Sequence, residues 1–320
     1  LWYPSKEHPS DEPESADIHI TVPKPLSVAS NGNLQSIIDH KNKWTTWHWS
    51  TKYSINPYNI NFTIGHFDLI ERIVPSLGKP LKVQFYVLKE SLKGSQKLID
   101  QVEVFIEFFT RNFGQFPWIE EKLGIVNTPY FGMEHQTVIA YGNEYKNNEK
   151  GYDFLLFHEM AHEWWGNYLS VSDWSDFWIH EGFAVYSEAL YIEEKHGFEE
   201  YNSFFTKNIL KKIPQSKPIV LERNSTMNQV VGLDPYYKGA FVLHMLRYLV
   251  GDEDFFKILE DLLHSKKHLP NNQVTTSDFI DIVHNVIETN IDWFFKVYLY
   301  ENQYPVISQK ISHGSNHTFV

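Results

Sequence analysis

The most informative stretch of the chain is residues 157–167, Phe-His-Glu-Met-Ala-His-Glu-Trp-Trp-Gly-Asn, which contains the pattern His-Glu-x-x-His. Its apolar residues are spaced as on a helix, so His158 and His162 are expected to share one helix face. Two imidazoles on one face can bind the same metal ion, and Glu159 can then reach a water molecule on that ion. The alternative interpretation is a solvated helix face with two unrelated histidines.

A third metal ligand is expected further along the chain, because a catalytic zinc site keeps three protein ligands and one open position. Glu181 follows His162 after eighteen intervening residues, at the start of a second predicted helix. It could also be an acidic residue that the helix dipole favours at that end. The pattern favours a single Zn²⁺ held by His158, His162 and Glu181, the set found in thermolysin-type hydrolases.

Composition narrows the possible chemistry and partners. The 320 residues include no cysteine, which excludes disulfides, thiolate ligands and a cysteine nucleophile, whereas 16 His and 40 Asp and Glu can supply metal ligands. A formal net charge of -12 disfavours nucleic-acid binding, which needs a basic face. No apolar run of about 18 residues occurs, so no membrane span is expected.

The pattern of apolar residues predicts an α+β fold. Residues 1–75 are expected to form β structure, with strands at 18–23, 44–49 and 59–64, and Gly78-Lys79-Pro80 marks a boundary. Next come a strand at 81–88, a helix through 98–109 and strands at 124–127 and 134–141. Helices then dominate, with an N-cap expected at Thr276 or Ser277. They are predicted at about 152–166, 180–196, 236–250, 253–265, 277–288 and 291–299.

The two metal-binding stretches resemble those of the M1 zinc aminopeptidases, the gluzincin group that includes aminopeptidase N and leukotriene A4 hydrolase. That family has His-Glu-x-x-His, eighteen residues, and then Glu within a stretch like Trp-Leu-Asn-Glu-Gly-Phe. Residues 178–183 are Trp-Ile-His-Glu-Gly-Phe, so His180 replaces the family's Asn. The nearby carboxylates Asp173, Asp176 and Glu188 are candidates to support the histidines, and nothing in the sequence selects among them.

Residues 131–135, Phe-Gly-Met-Glu-His, resemble the family's Gly-x-Met-Glu-Asn motif on an edge strand. The resemblance implies that Glu134 binds the free α-amine of the substrate and that Gly132 and Met133 belong to a strand that pairs with the peptide. Phe131 and His135 depart from the motif, which puts the backbone contacts to the substrate in doubt. Without the resemblance, Glu134 would be interpreted as an ordinary strand residue.

A third similarity is Tyr-Tyr-Lys-Gly-Ala at residues 236–240, which resembles the family's Tyr-x-Lys-Gly. In register, the resemblance assigns Tyr236 as the residue that stabilises the tetrahedral intermediate. A phenol hydroxyl can donate a hydrogen bond to a developing oxyanion. The residues alone leave Tyr237 open for the same role.

The resemblance implies three segments. Residues 1–78 would be the C-terminal part of an N-terminal β domain, residues 79–298 a thermolysin-like catalytic domain with a mixed sheet and a helical half, and residues 299–320 the start of a following domain. The implied function is hydrolysis of the N-terminal peptide bond of peptides with a free N-terminus, by metal-activated water with Glu159 as general base. The alternatives are a thermolysin-type endopeptidase and a non-catalytic or impaired peptide-binding member of the fold.

Overall fold

Strands come first in the chain, helices dominate its second half, and a mixed region lies between them. The computed structural model describes residues 2–214, 217–265, 268, 271–302, 312–313 and 318–319. The strands are β1 (Ala16–Pro23), β2 (Ser27–Ser30), β3 (Asn33–Asp39), β4 (Trp44–Thr51), β5 (Phe62–Gly65), β6 (Phe67–Ser76), β7 (Lys79–Leu88), β8 (Leu123–Asn127), β9 (Gly132–Met133), β10 (Ile139–Tyr141), β11 (Ser170–Val171), β12 (Gln273–Val274), β13 (Ser312–His313) and β14 (Thr318–Phe319).

The α-helices are α1 (Leu92–Phe113), α2 (Phe154–Ala161), α3 (Trp178–His196), α4 (Phe198–Ser203), α5 (Met227–Val230), α6 (Gly239–Val250), α7 (Asp252–His264), α8 (Thr276–Val286) and α9 (Asp292–Leu299). Two π-helical segments, Phe204–Ile209 and Asp234–Lys238, also occur. The second of them leads directly into α6. In the part of the chain that the structure describes, no helix is both long enough and apolar enough to cross a membrane.

The first strands form an antiparallel sheet in the order β1-β4-β3, next to the pair β2-β5. The alternation predicted for residues 18–23 is found in β1, where Ile18 and Val22 are buried and their immediate neighbours are more exposed. The strand predicted at 59–64 begins only at Phe62. Before it, Asn56 accepts a hydrogen bond from Tyr58 N and caps a short 3₁₀ turn at Pro57–Asn59.

A five-stranded mixed sheet in the order β6-β7-β8-β10-β9 supports the middle of the molecule. Strand β6 pairs antiparallel with β7, and β7, β8 and β10 run parallel. The boundary predicted after residue 78 therefore falls in the turn of the β6-β7 hairpin. The division into residues 1–78, 79–298 and 299–320 stays a prediction, and 303–311, 314–317 and 320 lie outside the described residues.

Three local predictions are corrected by the structure. The strand expected at 134–141 is interrupted, because Thr137 adopts a positive φ of 61° between β9 and β10. The helix expected to reach residue 166 ends at Ala161, and the chain then turns until Gly166, whose φ is 127°. The N-cap of α8 is Thr275, one residue before the predicted position, where it forms a capping box with Asp278.

Candidate metal centre and active-site cleft

Helices α2 and α3 place three metal-binding side chains together. The side chain of Asp153 caps α2 by accepting a hydrogen bond from Leu156 N at 3.0 Å. The helix therefore begins at Phe154, four residues before His158. His158 lies inside α2, and His162 follows its last residue. Glu181 lies in the first turn of α3. The structure therefore brings together the three residues that the spacing had selected.

The three ligand atoms converge on one point. His158 Nε2 and His162 Nε2 are 3.2 Å apart, and each lies 3.4 Å from Glu181 Oε2. Glu181 is 3% exposed, and its Oε2 has no hydrogen-bond donor among the described residues. A buried carboxylate oxygen without a donor is costly unless a cation compensates it.

The outer nitrogens of both imidazoles are held by hydrogen bonds. His158 Nδ1 lies 3.0 Å from Glu188 Oε1, and His162 Nδ1 lies 2.9 Å from the carbonyl oxygen of Trp165. Acceptors at these positions keep the proton on Nδ1 and leave Nε2 free as a ligand, which is the usual arrangement of metal-binding histidines.

Of the three carboxylates that the sequence offered as supports, the structure selects Glu188. Asp173 accepts a hydrogen bond from Asn224 N at 2.8 Å, and Asp176 accepts one from Arg223 Nη1 at 2.8 Å. Both therefore stabilise the turn before α3 rather than the histidines. The carbonyl of Trp165 was not predicted, since its position depends on the turn that follows α2.

The donor set fits zinc. Two neutral imidazole nitrogens and one carboxylate are ligands that Zn²⁺ prefers, and neighbouring ligands of a tetrahedral ion with bonds of about 2.0–2.2 Å lie about 3.3–3.6 Å apart. The three separations here are 3.2, 3.4 and 3.4 Å. These residues would thus need little movement to bind the ion.

Glu159 lies beside this centre and against strand β9. It is 6% exposed, and a carboxylate oxygen of Glu159, one of Glu134 and a ring nitrogen of His162 lie within 4.8 Å of one another. Burial raises the pKa of Glu159 to about 8, with opposing contributions from the neighbouring histidines and carboxylates. A Cβ on Gly132 would lie 2.5 Å from Glu159 Oε1, so glycine permits this close approach.

Glu134 follows β9 and is held by a residue that the sequence did not indicate. The carboxylate is 6% exposed, and its Oε1 accepts a hydrogen bond from the Tyr58 hydroxyl at 3.0 Å. Asn167 Nδ2 donates to the Glu134 carbonyl at 2.9 Å. Burial, and then the charge of Glu134, raise the pKa of Tyr58 well above its ordinary value, so the phenol stays a donor. No sequence signal connects Tyr58 to a residue 76 positions away.

The two tyrosines in the π-helical segment Asp234–Lys238 have different environments. The Tyr236 ring is nearly parallel to that of His158, with 6.2 Å between the centroids. Burial, and then the charges of Glu181 and Glu134, raise the pKa of Tyr236, which keeps its hydroxyl protonated. Tyr237 instead accepts a hydrogen bond from Lys212 Nζ at 3.4 Å.

The buried acidic residue Glu163, close to the metal centre, has structural partners. Glu163, which follows His162, accepts hydrogen bonds from Trp118 Nε1 at 2.7 Å and from Thr137 N at 3.0 Å. Burial raises the pKa of Glu163 to about 7. Glu163 therefore ties the metal-binding helix to the loop between β9 and β10.

The two histidines at positions where the family has Asn differ in exposure, since His180 is buried and His135 is only partly buried. His180 Nε2 accepts a hydrogen bond from Val171 N at 3.0 Å, and burial lowers its pKa to about 3. With His180 in this position, Glu181 Oε2 lies 3.4 Å from Nε2 of both His158 and His162. Burial lowers the pKa of His135 to about 4, and its ring lines a second cavity beyond Met133.

A cleft of about 320 Å³ gives access to all the predicted site residues. The residues predicted from the sequence that line it are Gly132, Met133, Glu134, His158, Glu159, His162, Glu181, Tyr236 and Tyr237. Met133 also lines the second cavity, of about 410 Å³, together with Tyr58 and His135. Met133 therefore lies between the two cavities.

Sequence comparison relates this chain to M1 peptidases and to proteins named as aminopeptidases. A family model of the Peptidase family M1 domain matches residues 99–298, which is more than half of the chain. Glutamyl aminopeptidase of Homo sapiens is 24% identical over 321 residues, covering 93% of this chain and 33% of that protein. Aminopeptidase M1-D of Oryza sativa subsp. japonica is 26% identical over 328 residues, covering 94% of this chain and 36% of that protein.

Among solved structures, an M1 zinc metallopeptidase from Deinococcus radiodurans has a similar fold. Its TM-score is 0.77 at 21% sequence identity, and the match covers 95% of this chain and 68% of that chain. The likeness confirms the predicted α+β fold. The chain spans about a third of the length of the curated relatives cited above.

Proposed function

The chain belongs to peptidase family M1, and we propose that it acts as a zinc-dependent aminopeptidase on peptides with a free N-terminus. The observation that carries the proposal is one cleft that contains a His₂Glu ligand set, a buried carboxylate beside it and a second buried carboxylate on the edge strand. Relatives named as aminopeptidases support the same reaction class.

The proposed metal ligands are His158, His162 and Glu181. When bound, a zinc ion polarises the carbonyl that is attacked and lowers the pKa of a water molecule toward neutrality. The chain's own contribution is orientation, because Glu188 and the Trp165 carbonyl hold the two imidazole rings from behind.

Glu159 is proposed as the general base. It would take a proton from the attacking water and return it to the amine that leaves. Its position supports this role, since the carboxylate lies within 4.8 Å of both His162 and Glu134 and is shielded from bulk water. Gly132 keeps the strand close to the carboxylate without a clash.

Tyr236 is proposed to donate a hydrogen bond to the oxyanion that forms on the substrate carbonyl. Its ring lies 6.2 Å from that of the metal-binding His158, whereas the side chain of Tyr237 contacts Lys212. The environments of the two tyrosines therefore favour Tyr236, in agreement with the register of the motif.

Glu134 is proposed to bind the substrate's ammonium group, which limits cleavage to the first peptide bond. The hydrogen bond from Tyr58 to Oε1 orients this carboxylate, which lies beside Glu159 and His162. An endopeptidase would have no use for a buried carboxylate at this position. Gly132 and Met133 form the edge strand against which an extended peptide can lie.

One set of assays tests the proposed cleavage, its dependence on the metal and the role of Glu159. We expect an aminoacyl-naphthylamide to be cleaved, a chelator to abolish cleavage, and Glu159→Gln to lower kcat by about 10²–10⁴-fold, the usual contribution of a general base. The variant should still contain one zinc per chain by elemental analysis. Turnover that survives in Glu159→Gln, or efficient cleavage of N-acetylated peptides by the parent, would refute the proposal.

A further inference from the structure

The charges that line the cleft are distributed unevenly. Four carboxylates, Glu134, Glu159, Glu181 and Glu188, surround the metal centre. Among the described residues that line the cleft, Lys212 is the only lysine or arginine. A negatively charged group of a substrate is therefore repelled over most of this surface and attracted only near Lys212.

Lys212 is held in place by Tyr237. Its Nζ lies 4.7 Å from the centroid of the Tyr237 ring and donates a hydrogen bond to the Tyr237 hydroxyl oxygen at 3.4 Å. A phenol oxygen that accepts a hydrogen bond can still donate its own proton. The pair thus offers an ammonium group and a phenol O–H on the same side of the cleft.

A row of aromatic contacts leads from the metal centre to this pair. The His158 and Tyr236 ring centroids are 6.2 Å apart, the Tyr236 and Tyr237 centroids are 6.4 Å apart, and Lys212 lies beyond Tyr237. Glu134 lies outside this row, on the strand wall of the cleft. Because Glu134 and Lys212 both line the cleft, a peptide with its ammonium group at Glu134 can present a negatively charged group to Lys212.

We propose that Lys212 and Tyr237 bind a carboxylate on the leaving-group side of the scissile bond. The carboxylate is either the C-terminus of a short peptide, which spans about 3.3–3.6 Å per residue, or an acidic side chain close to that bond. The direction of the peptide rests on the proposed function. The substrate class is thus short or acidic peptides, with the ammonium group bound by Glu134 and the carboxylate by Lys212.

The experiment measures binding by calorimetry to the zinc-loaded Glu159→Gln chain, which is expected not to consume its ligands. Ala-Ala-Ala is compared with Ala-Ala-Ala-amide, and Ala-Glu-amide with Ala-Gln-amide. In at least one pair, the peptide with the carboxylate should bind about fivefold more tightly, the upper end of the range for an exposed ion pair. A preference in the first pair identifies the C-terminus as the group bound, and one in the second identifies an acidic side chain.

Matched variants assign the preference to Lys212. Adding Lys212→Met should reduce the preference for the carboxylate to less than about twofold, and Lys212→Arg should retain it. The control is Lys211→Met, a change at the adjacent exposed lysine, which should also retain the preference. Equal binding within both pairs, or a preference that survives Lys212→Met, would overturn the proposal. Failure of the parent to cleave an aminoacyl-naphthylamide would instead refute the proposed aminopeptidase, while the binding ratios still decide the role of Lys212.

Discussion

The metal ligands show what residue spacing alone can predict. His158 and His162 share a helix turn, and Glu181 follows at a distance that lets a second helix return to the first. These relations are local or repeat a family pattern, so the sequence was sufficient for them. The partners Glu188 and Tyr58 could not be chosen in the same way, because each depends on a contact between elements that are far apart in the chain.

Tyr58→Phe is expected to raise KM for substrates with a free amine by about tenfold, since a hydrogen bond to a charged group contributes about 1.5–3 kcal/mol. The hydroxyl donates to Glu134 and orients the carboxylate that is proposed to bind the ammonium group. We expect kcat to change less than KM. Steady-state kinetics on a series of aminoacyl-naphthylamides would measure both.

The control for Tyr58 is Tyr3→Phe. The Tyr3 hydroxyl donates to the Pro57 carbonyl at 2.9 Å, so this variant loosens the same loop without touching Glu134. A similar rise in KM in both variants would mean that Tyr58 acts only through the stability of the loop. Glu134→Ala should raise KM further than Tyr58→Phe does.

At the scale of elements, the site depends on how closely two helical segments approach each other. Gly182 in α3 and Gly239 at the start of α6 face each other, and a Cβ on Gly182 would lie 2.9 Å from the carbonyl carbon of Gly239. This contact sets the position of the segment that carries Tyr236. Helical periodicity predicted both helices, but 56 intervening residues conceal the contact between them.

Gly182→Ala is expected to destabilise the protein by about 1–3 kcal/mol, the usual cost of overpacking. Helix propensity alone would favour alanine by about 1 kcal/mol, so the sign of the change decides which effect dominates. The same variant should lower kcat, because Tyr236 moves away from His158. Urea unfolding and kinetics measure the two effects, and a more stable variant would contradict the close contact.

At the scale of the whole molecule, the first strands are joined to the mixed sheet by buried polar contacts. Lys122, just before β8, donates hydrogen bonds to the carbonyls of Ser30 and Gly32, and its Nζ lies 4.8 Å from the Trp49 ring centroid. The Gly32 amide donates to Thr137 Oγ1 at 2.8 Å. The sequence predicted β structure for residues 1–75, but nothing in it indicated that Lys122 lies buried between two sheets.

The buried ammonium group of Lys122 makes the stability of this junction depend on pH. Burial lowers the pKa of Lys122 from 10.5 to about 7, opposed by the charges of Glu121 and Glu163. Between these two values the unfolded chain binds more protons than the folded chain, so the free energy of unfolding rises with pH in this window. The contribution of Lys122 to the free energy of unfolding is largest above its pKa in the unfolded chain, 10.5. This contribution is lost as the pH falls toward the pKa in the folded chain, about 7.

Lys122→Met removes this titration and leaves the Ser30 and Gly32 carbonyls without their donor, which costs about 1–3 kcal/mol. We therefore expect the parent to be more stable than the variant by a margin that grows from about pH 7 to about pH 9. Urea unfolding of both chains at the two pH values measures that margin. Lys41→Met, at an exposed lysine in the turn between β3 and β4, is the control and should show the same change at both values. A margin for Lys122→Met that stays constant or shrinks as the pH rises would show that the ammonium group is not desolvated at the junction.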